Sequence, residues 1–299
     1  LGIILAIEIL NVIQESAVSL RHPLLMVSFT AEEPNPFHLS TFGSRIATGK
    51  LNPDSVKGVR DEVNNISLAT ALAKAGGSID NLAEAKLREG SFAAFIECHI
   101  EQGKRLEKQH TALAVVSHIT GIYRETIRIA GEANHAGTTL MNDRHDALLA
   151  AAEFCLAFEK VLKQINRDDV VGTIGRLEVF PNAVNVIPGE TTCIMEIRTP
   201  DHSITTTILE HLAKHIKEIE QVRGVRVDRA LLLNQASVAL SKTVMKAMSA
   251  ILETTQEPYL TITSMAGHDA THLAGITQAG MLFVRSAAGK SHCPEEHSS

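Results

Sequence analysis

Clustered cysteines are absent from this sequence. The four it has, Cys98, Cys155, Cys193 and Cys293, stand far apart with no CxxC pair. That spacing excludes a zinc ribbon and gives no sign of a disulfide framework, so a reducing cytoplasm is the expected location. A long basic run is lacking too. With 28 Lys and Arg against 34 Asp and Glu, the formal net charge is -6, which argues against nucleic acid or an anionic membrane as partner. No apolar run reads as a membrane span. The opening LGIILAIEILNVIQESAV is broken by Glu8 and Asn11 and has neither a basic leader nor a small-residue cleavage site. It therefore reads as an amphipathic helix rather than a signal peptide. Internal repeats and low-complexity segments are missing as well.

What is present is 299 residues, 44% of them hydrophobic, enough for two domains at roughly 100 to 200 residues each. After the opening helix, LLMVSFT (24–30) is the kind of short apolar run that a buried parallel strand shows, with Glu32 and Glu33 at its carboxyl end. Helical patterns follow at 61–75 and 79–88, and FAAFIECHIEQ (92–102) reads as a strand. From about residue 116 the texture changes. Half-exposed strands are expected at 123–133, 170–180 and 191–199, with long amphipathic helices at 143–166 and at 203–222, the latter starting from a Ser cap. Two helices on one face of an antiparallel sheet make an α+β module. Past residue 233 the α/β texture resumes, with helices at 241–254 and 269–274 and strands at 260–264 and 280–284. The expected fold class is an α/β domain, 1–115 and 233–299, interrupted by an inserted α+β domain, 116–232.

Several groupings carry candidate chemistry. Adjacent side chains on an extended segment point oppositely, so of Glu32 and Glu33 one can bind a metal while the other faces a cavity as a base. The bland alternative is a solvated loop start. Alternation puts Glu97, His99 and Glu101 on one face of the 92–102 strand. Three ionisable groups there need water, partners or a metal, although a lone strand histidine is more often a satisfied structural residue. NHAGTT (134–139) sits between a strand and a long helix, either as an ordinary polar turn or as part of a site. Asn185 and Arg198 flank an expected hairpin, and the planar guanidinium of Arg198 matches a carboxylate bidentately. His268 and His272 in GHDATH have chelate spacing, as do His211 and His215 on a surface helix. Among 14 histidines that spacing says little. A Cys98–His99 thiol hydrolase is a poor reading, since neighbouring strand residues face opposite ways.

In collinear order, FTAEE, FIECHIEQG, GEANHAGTT with MNDRHDA, VNVIPGE with MEIR, MAGHDATHLA and GKSHCPEE closely resemble the hydantoinase/carbamoylase type of amidohydrolases. That group comprises N-carbamoyl-amino-acid hydrolases, allantoate and ureidoglycolate amidohydrolases and β-ureidopropionases, within the dinuclear zinc peptidase superfamily. The resemblance implies an α/β catalytic domain holding two divalent metals, zinc or manganese, and an inserted lid domain that makes a homodimer. It implies Glu33, His99 and His292 as metal ligands and Glu32 as general base. His135 is the implied lid residue that stabilises the oxyanion, reaching across the dimer, and Gln102, His135, Asn185 and Arg198 are the implied substrate set. The implied substrate is a small ureido acid. The implied mechanism is attack of metal-activated water on the ureido carbonyl after Glu32 takes its proton, with the lid closing over the site.

Departures from the family pattern carry their own expectations. The 299 residues contain neither the HxD segment nor the bridging aspartate, which are expected upstream of Leu1. The chain is accordingly expected to be truncated at both ends of its catalytic domain, to bind fewer metals or none, and to be inactive as it stands. Leu140 takes the place of a proline. A non-catalytic dimeric ligand-binding protein and an exopeptidase of the same superfamily are the alternative readings.

Overall fold

The structure, a computed structural model, describes residues 1–298. It divides into two compact units, one formed by Leu1–Ile119 with the chain from Ala239 onward and the other by Thr120–Val238. The first unit holds helices α1 (Gly2–Glu15), α2 (Phe42–Ala47), α3 (Pro53–Val56), α4 (Leu68–Lys74) and α5 (Arg105–Lys108), with strands β1 (Phe95–Ile100) and β2 (Leu113–Ile119). The second contains β3 (Gly121–Ala130), β4 (Asn134–His135), α6 (Ala147–Ile165), β5 (Val171–Phe180), β6 (Val186–Ile187), β7 (Glu190–Thr199), α7 (His202–Arg223) and β8 (Arg226–Gln235). A short β9 (Val238–Ala239) leads back to the first unit, which ends with α8 (Lys242–Thr254), β10 (Tyr259–Ser264), α9 (Ala270–Leu273) and β11 (Ala279–Val284). The fold is mixed α/β. Among the described residues no helix is long and apolar enough to cross a membrane.

In the first unit the strand order is β1–β11–β2–β10. β1 runs parallel to β11, with His99 opposite Phe283, β11 is antiparallel to β2, and β10 is parallel to β2. Ala114, Val115, Val116, Met281 and Phe283 are buried in this sheet. α8 lies so close to it that a Cβ on Gly280 would come within 2.4 Å of Val244, so only glycine permits the approach. A separate small core under α2 to α4 gathers Phe42, Ile46, Leu51, Val56 and Leu68.

Three expectations are corrected in this unit. Residues 24–30 form no strand, and Leu24 and Leu25 are exposed. A strand exists only where its backbone groups find a ladder. Here the carbonyls of Thr30, Ala31 and Glu32 instead accept the N–H groups of Gly43, Phe42 and Thr41 at the start of α2. The helical pattern at 61–75 shrinks to α4, and that at 79–88 to a 3-10 turn at Leu82–Ala85. The Asp61 carboxylate accepts from the backbone N–H of Val63 and Ile66, both at 3.0 Å, which gives the backbone a local alternative to helix. Ser67 then caps α4 by accepting from Thr70 N.

The second unit is an antiparallel sheet in the order β5–β7–β3–β8. α6 and α7 share one core with it, including Ile127, Ile129, Phe154, Met195, Ile197, Ile208 and Leu212. Burial alternates strictly along β7, as a sheet with one covered face requires. α7 is capped by Asp201, whose carboxylate accepts from Ser203 N at 2.9 Å, so the cap is Asp201 rather than the expected serine. The expected 185–198 hairpin is replaced by β6, which pairs with β4 and sets His135 opposite Val186, while β7 pairs with β5 and β3.

Removing a helix cap costs about 1 kcal/mol. Asp201→Ala is expected to lower the unfolding free energy by about that amount, and Ser203→Ala, which keeps the acceptor, by less. Chemical denaturation of both variants measures the difference.

Candidate functional site

The first unit places Glu33, His292 and Gln102 together. The Glu33 carboxylate lies 3.6 Å from His292 Nε2, and Gln102 Nε2 lies 3.3 Å from the same ring nitrogen. Gln102 also donates to Ser291 Oγ at 2.8 Å, and the backbone N–H of His292 donates to Glu296 at 3.0 Å. Both Gln102 (φ 56°) and His292 (φ 58°) have left-handed backbone. Glu32 is half-buried next to Glu33. Its carboxyl is raised to about 7, first by burial, then by Asp269 and Glu33, with His292 acting the other way. A carboxyl poised there can accept a proton at neutral pH.

His99 packs on β1 with its Nδ1 2.9 Å from the carbonyl of Ile100 and its ring edge-on to His268, centroids 4.7 Å apart. Behind it lies a largely buried chain of groups. Ser264 Oγ is 2.7 Å from His268 Nε2, His268 Nδ1 is 3.6 Å from Glu97 Oε1, and Glu97 Oε2 accepts from Ala270 N at 2.8 Å. Burial pushes Glu97 up to about 8, with Asp269 and Glu32 adding to the shift. Burial also pulls His268 down to about 3, helped by His99. Asp269 is raised by burial, and its Oδ1 is buried without a hydrogen-bond partner among the described residues. Glu101, expected beside Glu97 and His99, instead turns away. It accepts from the backbone of Arg105 (2.9 Å) and Leu106 (3.0 Å) and holds the start of α5. The His268–His272 pair does not converge, because His272 Nε2 meets Thr41 Oγ1 at 2.9 Å while His268 serves Ser264.

A catalytic zinc centre ordinarily has three protein ligands. Of the implied set Glu33 and His292 face each other, and among the described residues no group of three His, Cys, Asp or Glu side chains is arranged to hold a metal. The facing pair, Glu33 and His292, is one ligand short of that number.

The second unit gathers the other candidates. His135 and Asn185 meet where β4 pairs with β6, and Ala136 N donates to the Asn185 carbonyl at 3.0 Å. Arg198, on β7, donates from Nε to Glu196 at 2.7 Å, and Glu196 also binds Arg124. Arg198 therefore sits in an ion-pair network on the sheet. Sequence reasoning left His268 and Asp269 out of the site. The one sign of them was GHDATH beyond the end of a strand, where α/β sheets place ligands.

Over residues 1–299 the chain matches the peptidase family M20/M25/M40, and it belongs to that family. Within it the chain stands with the hydantoinase/carbamoylase amidohydrolases, hydrolases of C–N bonds other than peptide bonds. It is 34% identical over 298 residues to the N-carbamoyl-L-amino acid amidohydrolase of Geobacillus stearothermophilus, covering 100% of this chain and 72% of that one. It is 35% identical over 303 residues to the ureidoglycolate hydrolase of Arabidopsis thaliana, covering 100% of this chain and 64% of that one. The crystal structure of an amidase of the hydantoinase/carbamoylase family from Burkholderia multivorans superposes with a TM-score of 0.87 at 26% identity, over 98% of this chain and 70% of that one.

The Glu97 proton has a measurable consequence. Its folded value of about 8 exceeds the ordinary 4.5, so between those pH values the folded chain holds a proton that the unfolded chain releases. Stability must fall as pH rises through that window. Glu97→Gln, which keeps the shape without the titration, is expected to lose less thermal stability than wild type between pH 5 and pH 8.5. Equal slopes in a melting series across that range would contradict the neutral buried carboxyl.

Proposed function

We propose that the protein hydrolyses the ureido (N-carbamoyl) C–N bond of N-carbamoyl amino acids or allantoate-like acids and releases ammonia. The observation that carries this reading is the Glu32 carboxyl, held at about 7 next to the Glu33–His292–Gln102 cluster. The names of the relatives support the substrate class. The Glu32 carboxylate takes a proton from water, and the hydroxide adds to the ureido carbonyl carbon. The carbonyl oxygen becomes an oxyanion that accepts a hydrogen bond from His135. The C–N bond then breaks as the departing nitrogen takes the proton back from Glu32. Arg198 holds the substrate carboxylate, exchanging part of its pairing with Glu196 for it. Glu33, His292 and His99 are the part of this chain that a divalent metal would use.

In the same reading the second unit is a lid and dimerisation domain. Its edge strands support this, with Phe180 at the end of β5 and Leu231 and Leu232 on β8 all exposed. Exposed apolar edges ordinarily need cover. A solution mass of two chains is expected, and a monomer at micromolar concentration would remove the dimer from the proposal. A non-catalytic ligand-binding role is the second reading, favoured by the incomplete ligand set.

Ammonia release from N-carbamoyl amino acids and allantoate by the complete gene product, with zinc or manganese added, tests the reaction. The rate is expected to rise with pH through about 7, as Glu32 loses its proton, and Glu32→Gln is expected to abolish it. No turnover of any ureido or amide substrate sinks the enzyme reading in favour of the binding one. The 299-residue chain itself is expected to be inactive and to retain less than one tightly held metal ion, which ammonia assay and elemental analysis read directly. Two tightly held zinc ions per chain would overturn the incomplete centre.

A further inference from the structure

His135 is exposed, yet its ring is not free to choose a tautomer. Its Nδ1 accepts the backbone N–H of Gly137 at 3.0 Å and that of Thr138 at 3.2 Å. An amide N–H can only donate, so Nδ1 must present its lone pair. In the neutral ring the proton then lies on Nε2. A protonated imidazolium in this conformation would set Nδ1–H against two donors. The turn that supplies those amides is itself tied down. Thr139 Oγ1 donates to the His135 carbonyl at 2.9 Å, and Asn134 Oδ1 accepts from His135 N at 2.8 Å.

The largest single tie is Arg144. Its guanidinium donates from Nη2 to the carbonyl of Ala136 at 2.6 Å and to that of Thr139 at 3.1 Å, and from Nε to Thr139 at 3.2 Å. One planar cation thus bridges both sides of the turn from a position just ahead of α6. A lysine keeps the charge but has no fork to span two carbonyls. Gly137 adds a steric condition, because a Cβ there would lie 3.2 Å from His135 Cε1 and 3.4 Å from Nδ1.

We propose that Arg144 is a positioning residue that holds the NHAGTT turn so that its backbone fixes His135 as the Nε2–H tautomer, a ready hydrogen-bond donor. This rests on the reading of His135 as the oxyanion partner for its use. The tautomer lock itself stands independently of any turnover.

The test is nitrogen NMR on the 15N-histidine-labelled 299-residue chain, with the His135 signals assigned by loss in His135→Asn. Wild type at neutral pH is expected to show an unprotonated Nδ1 and a protonated Nε2. A predominant Nδ1–H form, or fast averaging of both, overturns the lock. Arg144→Lys with an unchanged melting temperature is expected to bring on that averaging. A signature as fixed as in wild type overturns the role of Arg144. Should Arg144→Lys not fold, exchange of the Arg144 Nε proton in wild type decides instead: slow exchange supports the clamp, and exchange as fast as in free arginine overturns it. Gly137→Ala is expected to disturb the same two nitrogen signals, and their persistence counts against the backbone lock. Because none of these readouts needs substrate, they can fail while ammonia release succeeds, or the reverse.

Discussion

The site in the first unit depends on a carboxyl and an imidazole that share a largely buried space without carrying charge. Glu97, raised to about 8, and His268, lowered to about 3, face each other at 3.6 Å, each burdened by lost hydration rather than relieved by a countercharge. An ionised pair there would meet the desolvation that makes buried ion pairs marginal. Glu97 also accepts the N–H of Ala270 and so seats the turn that carries His268 and Asp269. The His268 ring in turn supports His99 edge-on. Through that chain the buried carboxylic acid sets where His99 stands.

How much of this was legible in the sequence follows from what each signal measures. Helices α6, α7 and α8 and strands β1, β3, β5, β7, β10 and β11 announced themselves through periodicity, because each buries one face or both against a core. β2 and β8 were missed: the hydrophobic content of LAVVSHI and RVDRALLLNQ does not alternate cleanly. The run at 24–30 misleads for the converse reason. It has the composition of a buried strand, but composition does not supply a ladder partner, and in the structure its last carbonyls go to α2. The site was legible chiefly through its resemblance to a family. Spacing alone put Glu101 with His99, where the structure turns it toward α5. Glu97 stands out in the sequence only as a neighbour of His99, since its importance comes from burial, which no motif encodes.

The second unit organises its chemistry differently. Its sheet and two helices share one core, and its polar candidates are fixed by hydrogen bonds and an ion pair rather than by burial. His135 is held by amides of its own turn, Asn185 by the pairing of β4 with β6, and Arg198 by the Glu196 carboxylate on β7. Such groups keep their orientation while staying open to solvent. That suits residues that must meet a ligand rather than support another side chain.

The two left-handed residues beside the Glu33–His292 contact bear on how this protein can be engineered. A non-glycine backbone at positive φ is ordinarily a place where glycine improves stability. At Gln102 and His292 that substitution would remove the side chains that meet at the cluster, along with the relaxed strain. A stability screen scoring only melting temperature would rank glycine highly at both positions and select away the site, so functional selection has to accompany any such screen.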